Sequence, residues 1–168
     1  MGEWLHVGPA GDRAYLAAPA SGAATGALNA FVEQTRTRVG AYGGPPVAAN
    51  PAIQFRLANA LAEIENARMR MRTTWEEFYG LACSGARLIP ADLQARSRYE
   101  GPRAISGCLH AVIEVFEVAG GGVMHLSNPI QRFLRDLLAM RNHPMGALES
   151  NAATYARAVL NASQREAG

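Results

Sequence analysis

The sequence predicts an all-α protein with an antiparallel, up-and-down four-helix bundle. Of the 168 residues, 49% are apolar and 18% are charged, which is typical of one globular domain with its own core. Apolar residues recur at three- and four-residue steps over long stretches, and no stretch shows the alternation of a strand more strongly. Clusters of glycine and proline separate these stretches. Long helices joined by loops of moderate length pack into such bundles.

The first helix is expected at about residues 15–39. Residues 1–13 lack any period, and we interpret them as a tail or the remnant of a preceding domain, with residues 14–168 forming the bundle. Pro19 and Gly22 predict either a late helix start or a bend. The apolar positions that share one face of this helix are Leu16, Ala20, Ala23, Ala24, Leu28, Phe31 and Val32.

The second helix is expected from Pro51 to about residue 82, after a glycine- and proline-rich loop at residues 40–50. Asn50 fits the N-cap position and Pro51 the first helical position. Arg68 falls within the apolar stripe, so we expect it to pair with Glu63, Glu65 or another helix. The residues predicted to face the core are Leu57, Leu61, Ile64, Met69, Met71, Trp75 and Phe78.

The second half of the chain predicts further helices. A break is expected at residues 84–90, and Gly101-Pro102 is expected to interrupt a helical pattern before a clear helix at about residues 102–118. Three glycines at residues 120–122 form the next break. Ser127, Asn128 and Pro129 then open a helix that closes on His143, and the last helix is expected at about residues 146–164.

Composition excludes several functional classes. The net charge of +2 does not indicate a nucleic-acid footprint. All 16 basic residues are arginine, which excludes a Schiff-base or P-loop lysine. Cys83 and Cys108 have no metal-ligand spacing, so no metal site is expected. We expect a cytoplasmic protein without membrane contact, because no signal peptide and no apolar run of about 20 residues is present.

The candidate site residues lie around the helix between Pro129 and His143. His143 at a helix end is either a proton acceptor or a charge that bonds free carbonyls. Ser127 and Asn128 either cap the helix or help to present its free amides to a phosphate. Arg132 and Asp136 are four residues apart and can pair, while Arg135 points elsewhere; the alternative is an arginine contact with phosphate. His125 is a further candidate.

The order of several segments resembles the C-terminal domain of acyl-CoA dehydrogenases, in the type 2 branch that contains reduced-flavin-dependent (group D) aromatic monooxygenases. The matching segments are APA at 18–20, GALNAFVE at 26–33, LA at 57–58, AEI at 62–64, AGG at 119–121, NPIQRFLRD at 128–136 and the single residue His143. In the family this bundle follows an all-helical domain and a small β-barrel domain, neither of which is in this sequence. We therefore expect a fragment, a stand-alone remnant or half of a split enzyme, with the missing domains on a separate chain in the last case.

The resemblance also implies a cofactor and a reaction. Many acyl-CoA dehydrogenases carry a catalytic glutamate where this chain has His143, and the hydroxylase branch tends to have histidine there. His143 would accept the proton of a phenol or polyketide-like substrate, and Ser127, Asn128, Arg132 and Arg135 would contact the flavin. The flavin would be FMN or FAD, supplied in reduced form by a separate reductase. This cofactor is expected for an intact family member. The alternative for the isolated chain is that it binds no cofactor.

A non-catalytic role is the alternative. The bundle would then serve for oligomerisation, or bind a partner or a small hydrophobic ligand. In either case we expect a homodimer or tetramer formed through the bundle, because apolar helix faces without partner domains need to be covered.

Overall fold

The computed structural model describes residues 14–86 and 88–166, so the predicted tail at residues 1–13 lies outside the described residues. The helices are α1 (Ala14–Thr37), α2 (Pro51–Cys83), α3 (Ala91–Phe116), α4 (Pro129–Asn142) and α5 (Leu148–Glu166). A short antiparallel hairpin of β1 (Val39–Gly40) and β2 (Gly44–Pro46) follows α1. The all-α prediction is confirmed, and the hairpin is a small addition to it.

Paired side chains establish that α2 and α3 are antiparallel. Arg56 near the start of α2 contacts Glu117 just after α3 at 2.7 Å, whereas Arg70 farther along α2 contacts Glu100 earlier in α3 at 2.6 Å. Arg70 binds Glu100 through both its Nε and Nη2 atoms. The carboxylate of Glu100 is almost fully buried, so this two-point contact stabilises a charge that burial alone would disfavour.

Helix α1 runs antiparallel to α4. Gln34 near the end of α1 pairs with Asn128 at the start of α4, and Gly26 earlier in α1 lies against Phe133 further along α4. Arg38, just after α1, bonds the carbonyl of Ala119 just after α3, which places these two helix ends together. Helices α1 to α4 therefore alternate in direction, and α5 packs against α3.

Small residues allow α1 to approach its neighbours closely. The core-facing positions of α1 include four fully buried alanines, and a Cβ on Gly26 would lie 2.6 Å from the ring of Phe133. Larger side chains fill the centre. The largest fully buried ones are Phe31, Ile105, Ile130, Leu137, Val112, Val115, Pro102 and Cys108. Burial raises the pKa of the Cys108 thiol to about 11, which makes this cysteine unreactive.

The structure corrects the predicted interruption at Gly101-Pro102. Helix α3 continues through both residues, which are buried against neighbouring helices. Packing compensates for the hydrogen bond that a proline removes from a helix. Similarly, α1 begins before Pro19, so the late start is not observed.

The predicted core face of α2 is only partly right. Leu61, Met69 and Trp75 are 53%, 56% and 54% exposed. Ile64 is buried as predicted, and the other buried positions are Ala60, Ala67 and Thr74. Small side chains form the contact because α2 approaches the bundle closely, which turns the larger residues outward.

The predicted pairing of Arg68 is confirmed, because Arg68 contacts both Glu65 and another helix. Its guanidinium donates to Ser21 at 2.9 Å and Thr25 at 2.6 Å on α1, and lies 3.8 Å from Glu65 on its own helix.

Among the described helices, none combines the length and the apolar character that crossing a bilayer requires.

Candidate functional site

Helix α4 or the residues at its two ends carry every predicted site residue. The helix has 14 residues, so its ends lie about 21 Å apart. Ser127 and Asn128 lie at the N-terminal end, and His143 lies at the C-terminal end. The structure therefore separates the predicted phosphate-contacting residues from the predicted catalytic residue.

At the N-terminal end, Asn128 is fully engaged in structural hydrogen bonds. Its Oδ1 accepts from the Ile130 amide at 3.0 Å and from Gln34 at 3.2 Å. Its Nδ2 donates to Gln34 at 3.2 Å and to the Gly122 carbonyl at 3.4 Å. An asparagine amide has two donors and two acceptor sites, so none is left for a ligand. The structure assigns Asn128 to capping rather than to direct contact with a cofactor.

The glycine-rich loop beside this end is held by Arg38. The guanidinium of Arg38 donates to the carbonyl of Val118 at 2.8 Å and to the carbonyl of Ala119. These bonds satisfy carbonyls that the end of α3 leaves unpaired. Gly120 has a φ of +80°, and a Cβ there would lie 3.0 Å from Arg38. Gly120 therefore allows the arginine to reach the helix end.

Sequence reasoning identified neither Arg38 nor Gln34 as a contributor to this end. Each is separated by 80 or more residues from its partner, so local spacing carries no signal for the contact. Both residues hold the loop and the helix start in place.

Ser127, Arg132 and Arg135 remain exposed around the N-terminal half of α4. The guanidinium carbon of Arg132 lies 5.6 Å from the centroid of the Phe133 ring. Within the described residues, Arg132 does not form the predicted ion pair with Asp136. Exposed guanidinium groups can bind an external anion, and the predicted phosphate contact of these residues stays a prediction.

At the C-terminal end, His143 caps the short 3₁₀ helix Pro144–Gly146 that follows α4. Its Nδ1 accepts a hydrogen bond from the Met145 amide at 3.2 Å, and its side chain is exposed. A neutral imidazole whose Nδ1 accepts carries its proton on Nε2. With Nδ1 bound to the backbone, Nε2 is the nitrogen left to meet a ligand, and the predicted proton-accepting role of His143 stays a prediction.

A second set of contacts encloses the turn after His143. Arg141 lies 2.7 Å from Glu149 on α5 and donates to the Gly146 carbonyl at 3.4 Å. A Cβ on Gly146 would lie 2.3 Å from the Met140 carbonyl oxygen, so only glycine fits without displacement. A hydrogen bond from its own backbone amide, and then the bond from Arg141, lower the pKa of Glu149.

An open groove of about 380 Å³ lies elsewhere, between α1 and α2. Leu28, Leu61 and Ile64 supply apolar surface, and Glu65 and Arg68 supply charge. None of the predicted site residues lines this groove. Within the described ranges, no group of three or more His, Cys, Asp or Glu side chains could hold a metal ion.

Comparison with curated proteins identifies relatives with one common chemistry. Residues of this chain are 33% identical over 129 residues to the flavin-dependent monooxygenase oxygenase subunit HsaA of Mycobacterium tuberculosis H37Rv, covering 76% of this chain and 32% of HsaA. The FADH(2)-dependent resorcinol hydroxylase oxygenase component of a Rhizobium species is 35% identical over 138 residues, covering 76% and 33%. The chain thus spans about a third of the length of these relatives.

The fold agrees with the sequence comparison. The crystal structure of 3-HSA hydroxylase from Rhodococcus sp. RHA1 superposes with a TM-score of 0.81 at 28% identity, over 89% of this chain and 38% of that chain. The family model for the C-terminal domain of acyl-CoA dehydrogenases matches residues 14–147, which include all of α1 to α4. The chain belongs to the family of acyl-CoA dehydrogenase C-terminal domains.

Proposed function

We propose that this chain acts as the C-terminal helical domain of the oxygenase component of a two-component flavin monooxygenase that hydroxylates a small aromatic compound. The identity of 33–35% to HsaA and the resorcinol hydroxylase component over 76% of the chain supports this assignment. The remaining domains of such an enzyme and a separate flavin reductase would act with this chain.

The observation that carries the proposal is the identity of the residue at the C-terminal end of α4. His143 stands where the family resemblance places a glutamate in many dehydrogenases, and residues 140–144 contain no carboxylate. Dehydrogenation of an acyl thioester needs a base to remove a carbon-bound proton. An exposed imidazole instead suits hydrogen bonding to the hydroxyl of a phenolic substrate.

The exposed residues at the N-terminal half of α4 fit the phosphate of a flavin. Ser127, Arg132 and Arg135 offer a hydroxyl and two guanidinium groups to solvent, whereas Asn128 holds the helix start in position. When bound, reduced flavin supplies the two electrons that the hydroxylation of an aromatic ring by O2 requires. The arginines would contribute charge and orientation to its anionic end.

Binding of FMN and riboflavin to the purified chain tests this arrangement. We expect flavin fluorescence to be quenched at lower FMN than riboflavin concentrations, because only FMN carries a phosphate. Arg132→Ala and Arg135→Ala should weaken FMN binding about tenfold while leaving riboflavin unchanged, as expected for loss of a charge-assisted hydrogen bond worth about 1.5 kcal/mol. Arg72→Ala, on the exposed side of α2, is the matched control.

Equal affinity for FMN and riboflavin would contradict a phosphate contact. Absence of any quenching at millimolar FMN would show that the isolated chain retains no flavin contact. That second outcome would favour a non-catalytic role for the chain.

Exposed apolar residues on α2 favour oligomerisation as a second function. The exposed large apolar residues along this helix are Phe55, Leu61, Met69, Trp75 and Tyr79. Large apolar side chains left exposed along one helix are candidates for an interface. We propose a homodimer or tetramer through this helix, which light scattering would detect; Trp75→Glu should shift the assembly to monomer.

A further inference from the structure

The turn after α4 holds the ring of His143 through the Met145 amide, which donates to Nδ1. We propose that Arg141 and Glu149 are positioning residues that fix His143 in a single tautomer, with its Nε2–H facing outward as a hydrogen-bond donor. The catalytic meaning of this donor rests on the proposed function. The tautomer itself is a property of this chain, with or without flavin.

The first step is the hydrogen bond to Nδ1. Pro144 has no backbone N–H, so the amide of Met145 is the first donor in the turn that follows His143. This amide points at Nδ1, at 3.2 Å. A proton on Nδ1 would place two donors face to face, so the neutral ring keeps its proton on Nε2.

The second step is the contact that keeps Met145 in place. The amide of Gly146 donates to the His143 carbonyl at 2.7 Å, which closes the 3₁₀ turn around the ring. Arg141 donates to the Gly146 carbonyl at 3.4 Å and to Glu149 at 2.7 Å. Arg141 thus connects the last turn of α4, the 3₁₀ turn and the first turn of α5.

Close packing gives the turn little room to move. Gly146 is buried, and its α-carbon lies so near the end of α4 that a Cβ would collide with the Met140 and Arg141 carbonyl groups. The side chain of Arg141 is 23% exposed, so its contacts are partly shielded from solvent. Its partner Glu149 is 79% exposed, so only the guanidinium end of the pair is shielded.

An outward Nε2–H would stabilise an anionic oxygen rather than take up a proton. In the proposed hydroxylase, that oxygen would be the phenolate of the substrate, whose negative charge enriches the aromatic ring in electrons. His143 would then be a catalytic donor to the substrate, and Arg141 and Glu149 would act through it.

The test is the tautomer of His143, measured by long-range ¹H–¹⁵N correlation spectra of the chain labelled with ¹⁵N-histidine. Spectra are recorded at alkaline pH, where imidazoles are neutral, and His143→Gln assigns the signal. We expect the Nε2–H tautomer alone for His143, whereas the exposed His125 should show a mixture. Arg141→Gln and Glu149→Gln should move His143 to a mixture, Arg141→Lys should largely restore the single tautomer, and Arg72→Gln should leave it unchanged.

A mixture or an Nδ1–H tautomer in the unsubstituted chain would overturn the proposal. An unchanged tautomer in both Arg141→Gln and Glu149→Gln would overturn the positioning role. If Arg141→Gln fails to fold by circular dichroism, Glu149→Gln decides, since Glu149 is exposed. Failure of FMN binding with a fixed tautomer would count against the proposed function alone.

Discussion

Both ends of helix α4 carry a capping residue, but only one of these residues keeps a polar group facing solvent. At the N-terminal end, Asn128 directs all of its hydrogen-bonding groups at Gln34, Ile130 and Gly122. At the C-terminal end, His143 directs one nitrogen at the Met145 amide and leaves the other facing solvent. A capping residue is available for chemistry only when it has more hydrogen-bonding groups than the fold uses.

The difference follows from the shapes of the two side chains. The amide of asparagine is short, so its oxygen and nitrogen lie close together and both reach groups within the fold. The two nitrogens of an imidazole lie on different sides of a rigid ring, so the backbone can bind one while the other points away. The family resemblance predicts site residues at both ends of α4. The hydrogen bonds show that the fold uses every polar group of Asn128 but only one nitrogen of His143.

Of the substitutions at the two ends of α4, Gly146→Ala should destabilise the protein most. The new Cβ would lie 2.3 Å from the Met140 carbonyl oxygen, so the turn that carries His143 must shift. We expect the free energy of unfolding in urea to fall by about 3 kcal/mol, the upper range for overpacking. The His143 tautomer should also become mixed, because the Met145 amide moves with the turn.

Gly121→Ala is the matched control at the opposite end of α4. A Cβ at Gly121 meets no atom within 4 Å, and its backbone does not require glycine. Its stability should change by less than about 0.5 kcal/mol. Equal losses in the two variants would show that the C-terminal turn is no more tightly held than the glycine loop.

Removing the asparagine N-caps should lower the free energy of unfolding by an intermediate amount. Asn128→Ala should cost about 2 kcal/mol, of which about 1 kcal/mol is the lost cap and about 1 kcal/mol the unpaired Gln34. Asn50→Ala should cost only about 1 kcal/mol, because Asn50 caps α2 through Ala52 in the same Asn-Pro context but is exposed. Urea unfolding of the two variants measures the difference directly.

The double variant Gln34→Ala with Asn128→Ala identifies the coupling between these amides. Its loss should be smaller than the sum of the two single losses, since removing both partners leaves no unpaired group. Additive losses would mean that the amide pair contributes nothing beyond the cap. The N-terminal end would then have hydrogen-bonding capacity to spare for a ligand.

Local sequence was sufficient to predict the caps of α2 and α4, whereas it placed the start of α3 too late, at Gly101-Pro102. Asn50, Asn128 and His143 each stand at a predicted helix boundary, and each caps a helix in the structure. Such signals depend on neighbours within a few residues, so periodicity and capping preferences describe them well.

Contacts between distant segments could not be predicted in the same way. Gln34 contacts the start of α4 and Arg38 contacts the end of α3, and nothing in their local sequence identifies these partners. The exposed Trp75 shows the same limit, because helical periodicity locates a stripe but not which residues of that stripe the neighbouring helix covers. Local spacing likewise carries no signal for the direction of the His143 ring, and its predicted base role stays a prediction.

Removing the Arg141–Glu149 pair should change the stability least. The pH dependence of that change shows whether the pair stabilises the fold. The pKa of Glu149 is lowered by a hydrogen bond from its own amide and then by Arg141. A carboxyl group whose folded pKa is depressed stabilises the fold above its unfolded pKa, and this contribution is lost as the pH falls through the folded value. The stability gained from Arg141 should therefore be present at neutral pH and disappear in acid.

Urea midpoints of the unsubstituted chain and Arg141→Gln, compared between about pH 7 and pH 3, measure this contribution. The two midpoints should converge as Glu149 becomes protonated, and added salt should reduce their separation at neutral pH because Glu149 is largely exposed. In the Glu149→Gln background, Arg141→Gln should have little effect at any pH. A separation that persists in acid would show that Arg141 acts through the Gly146 carbonyl rather than through the ion pair. Arg141 would then hold the C-terminal end of α4 through a backbone carbonyl, as Arg38 holds the C-terminal end of α3.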